Sequence, residues 1–232
     1  MGACAARPLI SLPAPPADPA ALLALVRARE EQITTLRARF SAENQRGGET
    51  HQANGVLLVK KPDKFRLRMM LPFGLTVFDY VRWGAHTQLA LPLEDRIVDG
   101  PSTDSGVTFS QRDLGQAFLR GPDAFPGTCV PSSDHAAVTV LCRDASPAPL
   151  RRIVINAADA TIRTETSYEA DTPHLIIRYD DYRPVDGRLL PYHIALEYPE
   201  QHLSLQVAVQ RYEVNPPLAD DLFAPVQPWG AP

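Results

Sequence analysis

The chain has 232 residues, 44% of them hydrophobic, 23 prolines and a formal net charge of -4. This length suits one large domain that buries roughly 70% of its unfolded surface. Its charges are scattered, which excludes a nucleic-acid footprint. No apolar run reaches the roughly 20 residues of a membrane-spanning helix, so membrane contact requires a lipid anchor or a local patch.

In chain order, Met1-Gly2-Ala3-Cys4 heads a Pro/Ala tether running from Ala5 to Ala21. Small residues followed by cysteine resemble the lipobox of bacterial lipoproteins, whose cysteine becomes the acylated first residue of the mature chain. The resemblance implies lipidation at Cys4 and anchoring in membrane lipid. Met1 stands where the pattern prefers leucine, and the charged and apolar regions of a signal peptide do not precede Cys4, as expected of a chain trimmed to its mature boundary. The other reading is a chance cysteine in a disordered tail. Residues 1–18 are taken as anchor and tether, and residues 19–232 as one domain.

Asp18-Pro19 is a helix start, with a capping carboxylate and proline at the first helical position. Leu22, Leu25, Val26, Ile33 and Leu36 recur at helical spacing. Near Leu36 the period changes to two, and Leu36 to Glu43 alternates as a half-buried strand. Gly55–Lys60 and Phe65–Leu71 follow as strands around the turn Lys61-Pro62-Asp63. Pro72-Phe73-Gly74 is a second turn, and Leu75–Trp83 returns from it. Shorter strands are expected at Thr87–Leu91 and Arg96–Val98. A second helix starts at Ser110-Gln111-Arg112-Asp113, carries Leu114, Phe118 and Leu119, and ends at Gly121-Pro122. The remaining strands are Ala136–Cys142, Leu150–Asn156, Thr161–Tyr168, Leu175–Tyr182, Leu189–Tyr198 and Leu203–Tyr212. The reading is mainly β with α: about eleven antiparallel strands and two helices, in a sheet that must curl to cover its apolar face.

Cys129 and Cys142 flank a turn read at Pro131-Ser132-Ser133-Asp134, so two short strands can pair their sulfurs. Such a bridge contributes about 3 kcal/mol in an oxidising compartment. Two reduced core cysteines are the alternative.

Met70-Leu71-Pro72-Phe73-Gly74-Leu75 holds no charge. Hairpin turns of soluble proteins are usually polar, so Met70, Leu71, Phe73 and Leu75 form a candidate membrane-inserting loop. In the alternative, Met70 and Phe73 tuck beneath the helix as ordinary core. Inward-facing candidates are Phe40, Leu58, Phe65, Leu67 and Met69, joined by Val77 and Val81. Leu22, Leu25 and Val26 form the matching stripe on the first helix. These residues either line an acyl-chain cavity or make plain core.

Other chemistry finds no footing. His51, His86, His135, His174, His193 and His202 are dispersed, so no metal site is expected. Glu94-Asp95 and Asp180-Asp181 are adjacent residues, which point to opposite faces of a strand rather than forming a catalytic dyad. Asp79 is expected to face outward or to pair with Arg66 or Arg68. There is no nucleophile elbow, phosphate loop or dinucleotide fingerprint, so neither a cofactor nor enzymatic activity is expected.

Three stretches carry a family resemblance: Leu22–Phe40, Lys61–Arg68 running into Leu71-Pro72-Phe73-Gly74, and Leu190-Pro191 with Val214-Asn215-Pro216 and Asp221-Leu222-Phe223. Their order resembles the LolA/LolB superfamily of periplasmic lipoprotein carriers and receptors. The resemblance implies a strongly curved antiparallel half-barrel lidded by helices, with an apolar cavity between sheet and lid. The Phe73 turn and Cys4 resemble the LolB side, an outer-membrane lipoprotein with an apolar residue protruding from the corresponding turn. It implies a monomeric, lipid-anchored receptor on the outer membrane, facing the periplasm, that takes acylated lipoproteins from a soluble LolA-like carrier and inserts them. A lipid-binding carrier or sensor on the same fold is the alternative.

Overall fold

The computed structural model describes residues 14–100, 111–119, 125–134, 136–143, 150–169 and 171–226. Cys4, the first part of the tether, the Ser110 cap and the Gly121-Pro122 helix end lie outside these residues.

Helix α1 spans Pro19–Glu31. The Asp18 carboxylate accepts from the Ala21 N–H at 2.8 Å, and Pro19 needs no partner in the first turn. The first strands are β1 (Thr35–Arg46), β2 (Glu49–Lys60), β3 (Lys64–Met70), β4 (Thr76–Trp83), β5 (His86–Leu91) and β6 (Arg96–Asp99). Helix α2 (Gln111–Phe118) follows. The chain then forms β7 (Thr128–Asp134), β8 (Ala137–Arg143), β9 (Arg151–Asn156), β10 (Ile162–Glu169), β11 (Thr172–Val185), β12 (Arg188–Tyr198) and β13 (Leu203–Val214).

The thirteen strands make one open sheet in the order β6-β5-β4-β3-β2-β1-β13-β12-β11-β10-β9-β8-β7. Two antiparallel meanders are joined where β1 pairs with β13, Leu36 opposite Val214.

The sheet must be strongly curved. Eight-residue α2 is about 12 Å long. It nevertheless reaches Phe65 on β3, Phe40 on β1, Tyr212 on β13, Tyr198 on β12 and Arg151 on β9. β3 is fourth and β9 eleventh in the strand order, a separation of about 33 Å if the sheet were flat. Only a sheet wrapped around the helix brings both to it.

Thirteen strands stand where about eleven were expected, and two of them differ most from the sequence reading. β2 begins at Glu49 rather than Gly55, because the tail of β1 supplies a backbone ladder as far as Arg46↔Glu49. Backbone pairing needs no apolar alternation, so the polar segment gave no sign of it. Pro131–Asp134, read as a turn, belongs to β7. β7 is an edge strand with one unpaired side, where proline is tolerated. Cys129 and Cys142 stand directly opposite in the β7–β8 register and form a disulfide.

The two faces of the sheet are differently covered. α1 and α2 lie on one face, where a single large core gathers Leu22, Leu36, Leu67, Ile153, Ile194 and Leu205 among others. On the opposite face a smaller core of Leu58, Val81, Leu218 and Phe223 lies under the C-terminal segment. Ion pairs fasten that segment: Asp220 bonds Lys60 at 2.6 Å and Lys64 at 2.8 Å, and Arg66 donates to the Leu222 carbonyl at 2.9 Å.

Hydrogen bonds from Lys60 and Lys64 hold the exposed Asp220 carboxyl at about 2. A depressed carboxylate pKa contributes stability that is full above the ordinary value near 3.8 and fades as pH falls through about 2. The thermal midpoint of Asp220→Asn should therefore lie below that of the parent at pH 7. The gap should close as pH is lowered from 4 towards 2. A gap independent of pH over that range would contradict this role.

Candidate functional site

The turn between β3 and β4 is built to present one ring. Pro72 presets the first central position. Gly74, with φ +91°, takes the left-handed position that other residues avoid. Gly74 N–H donates to the Leu71 carbonyl and Leu71 N–H to the Leu75 carbonyl, both at 2.8 Å, so the turn satisfies its own backbone. Phe73 is left 77% exposed and Leu75 46% exposed. Met70 and Leu71 are half-buried beside the strands, so they belong to the base of the turn rather than its tip. No charged residue occurs between Met70 and Phe78.

The helix-bearing face is apolar and full. Leu22, Val26, Phe40, Phe65, Leu67 and Met69 are all buried in its core, and Leu25 and Val77 pack at its margin. Leu58 and Val81 are not part of this face. Strand alternation sends Leu57 and Val59 to the helices and Leu58 to the opposite side, and Val81 follows Asp79 outward.

Side chains of the described residues occupy much of the space expected for an acyl cavity. Phe118 of α2 packs on Phe40 at 4.9 Å between ring centres, and on Tyr212 at 6.2 Å. At Gly115 of α2, an added Cβ would fall 2.4 Å from the Phe65 ring. A cleft among the described residues, lined in part by Val26, Phe118 and Leu190, holds about 60 Å³. Pockets for whole small ligands run from roughly 300 to 1,000 Å³. The larger surface grooves do not compensate. One of about 480 Å³ is lined by Gln45, Arg46, Thr50, Glu197 and His202. Another of about 410 Å³ has mixed walls, Glu43, Gln52 and His193 alternating with Ala42, Ala53 and Pro72. The walls of the first are mostly polar and both grooves lie open to solvent, which does not suit a hydrocarbon chain.

Polar groups beneath and beside α2 went unread in the sequence. Glu165, almost wholly buried, accepts from the Tyr179 hydroxyl at 3.0 Å and faces Arg151 at 3.8 Å. Arg151 also reaches Gln116 of α2 at 3.4 Å, and the Tyr198 hydroxyl donates to Asp113 at 3.0 Å. These bonds hold α2 to β9 and β12. Their signal was weak, since Glu165 and Arg151 look like outward residues of alternating strands. Asp79, in contrast, behaves as expected. Arg66 donates to it at 2.9 and 2.8 Å, and Arg68 Nε at 2.8 Å, all on the outer face.

Among the described residues no helix is long and apolar enough to cross a membrane, and no cluster of His, Cys, Asp and Glu could hold a metal ion.

Three solved structures share this architecture at low sequence identity. A DUF1329 family protein from Desulfovibrio piger matches with TM-score 0.66 and 12% identity, over 90% of this chain and 98% of its own. A LolA superfamily protein from Nitrosomonas europaea matches at 0.64 and 10%, over 88% and 97%. The fold is LolA-like. A domain from Vibrio parahaemolyticus, provisionally named an outer membrane lipoprotein-sorting protein domain, matches at 0.65 and 13%, over 87% and 94%. No protein-family model and no curated protein matches the sequence.

Proposed function

We propose that this chain is a non-catalytic, monomeric envelope carrier for acylated lipoproteins, anchored through Cys4 to the outer membrane and facing the periplasm. Acyl chains are bound on the apolar face beneath the helices, and cargo arrives from a soluble LolA-like carrier. The observation that carries this reading is Phe73, a 77% exposed aromatic at a charge-free turn of a LolA-like sheet. Burying an exposed phenylalanine in an acyl boundary is worth roughly 1.5–3 kcal/mol. That is enough for repeated docking on a bilayer and too little for irreversible insertion.

The filled interior is then the empty-handed state. Helix α2 is its lid. Eight-residue α2 is shorter than any helix stable by itself in water. It is held by Leu114, Ala117, Phe118 and Leu119, all buried in the core, with the Tyr198–Asp113 and Arg151–Gln116 bonds beside them. A palmitoyl-length chain costs on the order of 12 kcal/mol to expose to water, at about 0.8 kcal/mol per CH₂. Exposing the two leucines and the phenylalanine costs roughly 1.5–3 kcal/mol each, less in sum than the exposed chain.

The test is retention of a triacylated lipoprotein in detergent-free buffer. The reading predicts that the protein co-elutes with acylated cargo as a soluble one-to-one complex and ignores the non-acylated form. Equal recovery of both forms, or of neither, would overturn it.

A further inference from the structure

The small cleft described above lies at the end of the sheet opposite Phe73, since Val59, Lys64, Trp83 and Arg188 all belong to the strand ends remote from the Met70–Thr76 turn. The C-terminal half of α1 and the end of α2 meet there the β9–β10 turn and the start of β12. Val26, Ile33, Phe118, Ile162 and Leu190 give it apolar walls. Arg29, Arg188 and Glu30 stand among the same walls.

Both arginines spend their hydrogen bonds on neutral oxygens. Arg29 donates to the Asp159 carbonyl at 3.0 Å. Arg188 donates to the Asp186 carbonyl at 3.3 Å and to Gln32 Oε1 at 3.4 Å. Among the described residues neither is ion-paired to a carboxylate. Arg188 Nε is buried with no acceptor. The Lys61 ammonium donates to the Glu30 backbone oxygen at 2.7 Å at the same end of α1.

Two half-buried guanidinium groups beside apolar walls suit one chemistry, an anion attached to hydrocarbon. Planar guanidinium groups grip carboxylate and phosphate oxygens through paired N–H donors. We propose that this cleft is the head-group site for a long-chain anionic lipid, with the anion on Arg188 and Arg29 and the chain running beneath α2. The proposal rests on the reading that α2 uncovers the apolar face. About 60 Å³ leaves no room for the chain, and Phe118 on α2 closes the way inward. The acyl end of a lipoprotein is neutral, so this site serves free lipid and makes the chain a carrier of both.

The test compares binding of palmitate, palmitoyl lysophosphatidate, neutral monopalmitoylglycerol and inorganic phosphate to the intact protein. Both anionic lipids should bind at least tenfold tighter than the neutral one, and Arg188→Gln or Arg29→Gln should remove that preference while the neutral lipid binds as before. Inorganic phosphate should bind far more weakly than the lipids. Equal affinity for charged and neutral lipids, or indifference to both substitutions, would overturn the head-group site and leave the carrier reading standing. Phosphate binding as tight as the lipids would make this a free-anion site and overturn it equally. If none of the three lipids binds, even to the lid-loosened Gly115→Val variant, the carrier reading falls with it.

Discussion

Replacing Phe73 with glutamate should weaken binding to lipid vesicles roughly 10- to 150-fold, the equivalent of removing about 1.5–3 kcal/mol of apolar burial. Delivery of bound cargo should fall in parallel. The fold should not notice: the ring is 77% exposed, and the turn's hydrogen bonds use backbone groups alone. Surface substitutions of that kind stay within about 0.5 kcal/mol. Vesicle flotation, read beside a thermal melt, separates the two effects. Phe73→Leu should keep most of the affinity. Vesicle binding unchanged in Phe73→Glu would remove the turn from the mechanism, and a lowered melting temperature would show that the ring packs somewhere after all.

Gly115→Val should open the lid. The first carbon of any side chain there would lie 2.4 Å from the Phe65 ring, and Phe65 is itself fixed between α2 and Tyr80, whose ring centre lies 5.8 Å away. Overpacking of a filled core costs about 1–3 kcal/mol. That cost falls on the closed state alone, since a displaced α2 no longer meets Phe65. The equilibrium between closed and open should therefore shift roughly 5- to 150-fold towards open. A fluorescent fatty acid should enter faster and bind tighter in Gly115→Val than in the parent, at some loss of thermal stability. A variant that loses stability but takes up no more probe would mean that α2 is an ordinary core helix.

The parts of this fold legible in the sequence were those fixed by short-range pattern. The Asp18 cap, the alternation of β3 and the Pro72-Gly74 turn each depend on residues within one turn or one strand of each other. The pairing of Asp79 with Arg66 and Arg68 was legible too, because those residues face one another across a hairpin. What stayed hidden depends on where distant segments come to rest. Leu58 and Val81 look like core residues, and they are, but their core is made by Leu218 and Phe223 from the far end of the chain. Strand alternation shows that a residue faces away from its neighbour; it does not say which face the helices will cover. The same holds for Arg151 and Glu165, whose burial under α2 depends on a helix placed by the curvature of the whole sheet. The interior volume lay furthest out of reach. Gly115 and Gly55 are unremarkable in sequence, yet their missing side chains admit the Phe65 and Phe40 rings and let the face close on itself.

That closure makes the opening of the helix-covered face the central claim. The most direct measurement is photolabelling with a palmitoyl chain that carries a carbene precursor at its terminal carbon, followed by mapping of the labelled residues. The account predicts label on the inward residues Phe40, Phe65, Leu67 and Leu205, beneath α2. Label confined to the exterior, around Phe73 or in the surface grooves, would show that the face never opens and would contradict it.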